Sequence, residues 1–197
     1  LATYVAPTLT LPTSLYLVGS SIGTSDAYWT TWKAMAPVFG NAGEFYSIIY
    51  VPAGGTFKWG EEKNDWRGYT NATFDDQANA GISQTESDNN IQVANAGWYT
   101  IYVESKIGTN AVQYTFHVYP AAAYTMGAPT GSWVDGDAAC AMTAPTDASS
   151  QWISPAFIDG GEMRAYIKVP GIDWWKTEFT LYKGNLFWRT MDIPANW

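Results

Sequence analysis

Charge is scarce in these 197 residues: Asp, Glu, Lys and Arg together make up 14%, with only 10 basic residues against 18 acidic ones. A formal net charge of −8 and a pI near 4.4 exclude nucleic-acid binding, which relies on clustered Lys and Arg to displace counterions. The single cysteine, Cys140, excludes an internal disulfide framework and reads as a small buried hydrophobe. A catalytic thiol would need a basic neighbour, and the only histidine, His117, is far away in sequence. One histidine also leaves no His cluster for zinc and no persuasive Ser-His-Asp triad. No apolar run approaches the roughly 18 residues of a membrane-spanning helix, no Gly-rich phosphate loop occurs, and no long segment carries a helical period. The chain opens on Leu1 without a charged n-region and apolar h-region, so it is expected to be a mature or excised fragment lacking its targeting signal.

Carboxylates are present but poorly distributed for hydrolysis. A glycosidase holds two of them across a cleft, whereas Glu61, Glu62 and Asp65 share one loop and read as its solvated face. Asp75-Asp76 and Asp88-Asn89-Asn90 are oxygen-rich, yet neither matches a regular calcium loop, so no metal site and no cofactor are expected. Asn71-Ala72-Thr73 is a formal glycosylation sequon.

What the chain has in quantity is aromatic surface: 16% Phe, Trp and Tyr, including 11 Trp and 13 Tyr. Such a content fits all-β architecture, aromatic binding faces, or both. SLYLVGS (14–20), EFYSIIYV (44–51), TFKWG (56–60), NIQV (90–93), GWYTIYVES and NAVQYTFHVY read as strands, the last two separated by a hairpin-like spacing. The opening residues 1–13, broken by Pro7 and Pro12, read as a linker or an entering edge strand.

Self-similarity organises these strands. YLVGS at 16–20 returns as YTMGA at 124–128, and KAMAP at 33–37 as CAMTAP at 140–145. Gly54-Gly55 matches Gly160-Gly161, Phe57-Lys58 matches Met163-Arg164, and Asp65-Trp66 matches Asp173-Trp174, all in order and 106 to 108 residues apart. The expected fold is therefore all-β, two tandem immunoglobulin-like β-sandwich modules at 14–119 and 120–197. The same period places the counterparts of the strands at 90–119 beyond Trp197. Either the second module lacks its last strands, which is the preferred reading, or TEFTLYKGNLFWR (177–189) replaces them with a hairpin.

Tryptophan recurs in corresponding loops. Trp66 follows the TFKWG strand in a charged loop, and Trp29 and Trp32 lie in the loop after the first strand. In the second module Trp133 takes the first loop, and Trp174, Trp175 and Lys176 the second. Strand alternation sends Phe57 and Trp59 to the core and Lys58 outward. An indole pair with polar neighbours suits a sugar, whose C–H face lies on a ring while its hydroxyls find donors and acceptors. The competing reading packs each Trp beneath its own loop; recurrence in both modules favours exposure.

LYLVGS, the Trp loop, AM(A/T)xP, AGGTFKW and the DW loop, in that order, resemble the SusE/SusF group, surface lipoproteins of Bacteroidetes built from tandem starch-binding modules. The resemblance covers 14–119 well and 123 to about 176 more loosely. It implies non-catalytic binding of polysaccharide, an α-glucan, at the extracellular face of the outer membrane, through a lipid anchor absent from this chain and near a glycan transporter complex. By position it implies carbohydrate-binding roles for Trp32, Trp66, Lys58 and Asn64, with Trp29 competing with Trp32. In the second module it implies Trp133, Trp174 or Trp175, and Lys176 or Arg164. The alternative from another class is a structural or protein-interaction spacer with buried loop tryptophans.

Overall fold

The computed structural model describes residues 8–22 and 25–191, so the start of the expected entering segment, residues 1–7, lies outside the described residues. Among the described residues, fourteen strands form three sheets, with short 3-10 turns between them. In the first module, β1 (Tyr16–Gly19), β2 (Lys33–Ala34), β5 (Thr56–Gly60), β7 (Ile82–Gln84) and β8 (Ile91–Val93) make a front sheet in the order β2-β1-β5-β8-β7. A back sheet, β3-β4-β9-β10-β6, holds β3 (Ala36–Pro37), β4 (Glu44–Val51), β9 (Gly97–Ile107), β10 (Val112–Pro120) and β6 (Thr73–Asp76).

Alternation decides what lies between the sheets. Leu17, Phe57, Trp59, Ile91 and Val93 face Phe45, Ile49, Ile101, Val103 and Phe116 in one buried cluster. Trp59 is fully buried, its ring 4.7 Å from Tyr114 and 5.2 Å from Phe116. β6 lay hidden in a polar segment; it pairs parallel to β10, and its Phe74 stacks on Tyr69 at 4.9 Å.

The repeat is visible in the strand register. β11 (Ala123–Gly127) pairs with β12 (Met163–Ile167), with Met126 opposite Arg164, as β1 pairs with β5, with Val18 opposite Lys58. The glycine ending each first strand has a common cause: a Cβ on Gly19 would sit 2.3 Å from the Thr56 carbonyl oxygen, and one on Gly127 2.2 Å from that of Glu162. Close approach of the pairing strand leaves no room for a side chain.

The second module diverges after that. β13 (Glu178–Tyr182) and β14 (Asn185–Trp188) form a hairpin beside β12, turned by Lys183 (φ 50°) and Gly184 (φ 77°), and complete a four-stranded sheet β11-β12-β13-β14. TEFTLYKGNLFWR is thus a hairpin, but it extends the front-type sheet rather than replacing a back sheet. The β3–β4 pairing is echoed by a single bridge, Thr143–Ile153. Among the described residues, the inner face of this sheet meets the outer face of the first module's back sheet. Ala123, Ile167, Val169, Phe179 and Trp188 pack with Tyr46, Ile48 and Tyr102, and Trp188 lies 5.4 Å from Tyr46. This explains why EFYSIIYV is apolar almost throughout: β4 is covered on both faces.

Candidate functional site

The charged loop after β5 is held by its own acids. Trp59 and Arg67 exchange backbone hydrogen bonds of 3.0 and 2.9 Å, closing the loop. The Arg67 guanidinium lies 5.2 Å from the Trp59 ring and pairs with Glu61 at 2.6 Å and Asp65 at 2.8 Å, while Asp65 also accepts the Glu61 N–H at 3.0 Å. The hydrogen bonds and charges of Asp65 and Glu61 outweigh burial and raise the Arg67 pKa, keeping it cationic. Glu61 and Asp65 therefore anchor a turn. Their neighbour Trp66, on the opposite side by alternation, is left 47% exposed.

On the outer face of the front sheet this indole meets the earlier loop. Trp32 and Trp66 have ring centroids 4.8 Å apart and planes at 64°, an edge contact that forms an angled surface. Trp29, Thr56, Lys58, Trp66, Asp88 and Asn90 line an open cleft of about 400 Å³ beside the pair. Lys58 has no hydrogen-bond or ion-pair partner among the described residues, so its ammonium is available in the cleft.

Of the first-module residues singled out from sequence, Trp29, Trp32, Trp66 and Lys58 come together. Asn64 does not: it is exposed, adopts the left-handed conformation (φ 71°) that turns the loop, and is not among the cleft-lining residues. Asp88, Asn90 and Thr56 take the polar positions. Asp88 and Asn90 arrive from just before β8, and since β8 pairs with β5 (Thr56 opposite Gln92), they reach Lys58 through sheet order alone. Their only sequence signal was the Asp88-Asn89-Asn90 run.

The second module does not reproduce the pair. Trp174 turns inward, packing on the buried cluster of Met126, Cys140 and Tyr166, with its ring 5.9 Å from Tyr166. Trp175, 36% exposed, lies edge-on to Phe39 of the first module at 5.9 Å. Lys176 donates to Asn41 Oδ1 at 2.9 Å, and its carbonyl accepts the Phe39 N–H at 3.0 Å. Arg164 occupies the register position of Lys58, but its guanidinium is taken by Glu178 at 3.0 Å and Glu162 at 2.5 Å. Those two acids raise its pKa. Trp133 is 50% exposed with no aromatic partner among the described residues. Replacing Trp175 and Lys176 together by Ala is expected to leave glycan retention unchanged and to lower stability by about 1–2 kcal/mol, read by urea denaturation. Loss of retention instead would put this loop in the site.

The acid-rich runs are engaged locally. Asp75 pairs with His117 at 2.9 Å, a hydrogen bond that holds its carboxyl below the usual range. Asp76 accepts the N–H groups of Ala80 and Gly81 at 2.9 and 2.8 Å. Among the described residues no three His, Cys, Asp or Glu side chains are grouped to hold a metal ion.

Comparison with known proteins extends this picture. Outer membrane protein SusF of Bacteroides thetaiotaomicron is 33% identical over 192 residues, which is 90% of this chain and 38% of that protein. The crystal structure of SusF from Bacteroides thetaiotaomicron matches with a TM-score of 0.75 at 30% identity, over 92% of this chain and 42% of that one. The chain thus spans about two-fifths of the length of the relatives it matches. The family model for SusF/SusE starch specific CBMs (carbohydrate-binding modules) matches twice, at residues 14–115 and 122–197, one match for each copy of the repeat. With both copies matched, and the paired strands β1–β5 and β11–β12 in the same register, the chain belongs to the SusF/SusE family of carbohydrate-binding modules.

Proposed function

We propose that this chain binds an α-glucan of the starch type without cleaving it, through the outer face of the first module's front sheet. One observation carries the reading: Trp32 and Trp66 meet at 64° beside a cleft holding Lys58, Asp88 and Asn90. Indole faces take the C–H faces of successive glucose units, and the Lys, Asp and Asn groups take their hydroxyls. Two planes at an angle suit a polymer that curves, since a flat one meets only one ring squarely. The family description and the SusF relative support starch as the ligand.

On this reading Trp29 closes the cleft's edge. The second module's Trp174, Trp175, Lys176 and Arg164 serve packing, which leaves Trp133 as that module's only free ring from the sugar-site set. The setting proposed is the extracellular face of the outer membrane, with a lipid anchor and a neighbouring glycan transporter as partner. The relative's description as an outer membrane protein supports the membrane assignment.

The test is direct. The protein should be retarded on native gels containing starch and not on gels containing cellulose derivatives. Maltoheptaose should protect its fluorescence from iodide quenching, because an indole 47% exposed becomes covered. Unretarded migration with unchanged quenching would sink the reading and leave a protein-interaction spacer.

A further inference from the structure

A second cleft, of about 360 Å³, opens between the two modules. Ser20, Ser21, Tyr28 and Tyr50 line it from the first module, and Asp147 and Ser149 from the second. Its chemistry resembles that of the platform: phenol rings for apolar faces, with hydroxyls and a carboxylate around them. Tyr28 is 40% exposed, and the Ser21 hydroxyl is buried with no partner among the described residues, although it lines the cleft.

Two features join this cleft to the platform. Tyr28 and Trp29 are chain neighbours, yet Tyr28 lines one cleft and Trp29 the other. Trp29 holds a left-handed backbone (φ 63°), unusual for so bulky a residue, and the reversal there sends the two rings to different sides of one loop. Beneath them, Ser20 of the intermodule cleft and Thr56 of the platform cleft are hydrogen-bonded, hydroxyl to hydroxyl at 3.0 Å and from the Thr56 N–H to Ser20 Oγ at 3.0 Å. The clefts therefore share a wall of the loop carrying Tyr28–Trp29 and the Ser20–Thr56 contact.

We propose that the intermodule cleft is a second saccharide subsite continuous with the platform, so that one glucan chain runs over the 28–29 loop and ends between the modules. The inference rests on the platform reading for its ligand class. Short oligosaccharides occupy the platform alone, and longer ones add contacts to Tyr28, Tyr50 and the wall formed by Asp147 and Ser149. This gives the second module a part in recognition through its 147–149 segment rather than through its tryptophans.

Calorimetric titration with maltotriose and maltoheptaose tests both readings separately. In the unaltered protein maltoheptaose should bind at least about tenfold tighter than maltotriose, the gain of adding a linked contact. Tyr28→Ala should reduce that ratio to roughly two while leaving maltotriose affinity unchanged, and so should Ala148→Trp, which fills the cleft from the opposite wall. Both positions are exposed, so neither change disturbs a core. No length dependence in the unaltered protein, or a full length dependence in both variants, overturns the second subsite. Failure of the platform shows differently: Trp66→Ala would then leave maltotriose binding intact, and the Tyr28→Ala ratio would still judge the intermodule cleft.

Discussion

Replacing Trp32 and Trp66 together by Ala should abolish retardation on starch-containing gels while the protein stays folded. Each ring is expected to act as an anchor of the kind whose truncation costs about 2 kcal/mol or more, so Trp66→Ala alone should weaken maltoheptaose binding at least ~30-fold. The two losses will not simply add, because rings 4.8 Å apart support one another. Stability should fall by only about 1 kcal/mol, the worth of the ring contact, since Trp66 is 47% exposed and belongs to no buried cluster. Circular dichroism and urea denaturation check the fold beside the gel. Undiminished retardation in the double variant would remove the platform from the site.

Trp59→Ala should do the reverse and cost about 3–5 kcal/mol, a large part of the stability of an ordinary domain. Trp59 is fully buried, touches Tyr114 and Phe116, and donates from Nε1 to the Gly68 carbonyl at 3.2 Å. Its removal leaves a cavity, takes one of two donors from the Gly68 carbonyl, which keeps the Asn71 N–H at 3.1 Å, and strips the Arg67 guanidinium of the ring it lies over. Gly68 cannot move in to compensate: a Cβ there would lie 1.8 Å from the Asn89 carbonyl oxygen, so the backbones are already in contact. Urea denaturation should show the loss directly; a cost below about 1 kcal/mol would mean the indole is not central to the core. Two tryptophans in one short stretch, TFKWGEEKNDW, thus differ in placement, one buried in the sandwich core and the other 47% exposed, where the proposed function gives it the ligand.

Much of this was legible from residues. Alternation in β5 assigned Phe57 and Trp59 to the core and Lys58 to the outer face, and the repeat matched Lys58 to Arg164 at the same register position. β4 and β9 were readable as strands because their apolar runs are long. β6 and β7 were not, because short edge strands in a polar segment carry little periodicity and are fixed by pairing with β10 and β8. Around the candidate cleft, the lining residues close in sequence were legible, while Asp88 and Asn90 required knowing that β8 lies beside β5. Asn64 illustrates the converse: a polar residue at the right spacing whose backbone angle makes it a turn residue. The second module's aromatic loop was read as a copy of the first. Duplication conserves the Asp-Trp pattern, but only the neighbouring surface decides whether an indole meets solvent or Phe39, and no periodicity reports that surface.

The contact between modules also bears on how the molecule could have arisen and how it comes apart. A first module released at Pro120 would present to water Tyr46, Ile48 and Tyr102, and also Trp98, which Trp152 of the second module meets edge-on at 5.6 Å. The second copy, deprived of those side chains, would have nothing among the described residues against which to bury Phe179 and Trp188. The copies are therefore not interchangeable beads. With these side chains packed into one cluster, residues 14–191 are expected to melt as a single cooperative unit, read as one calorimetric transition.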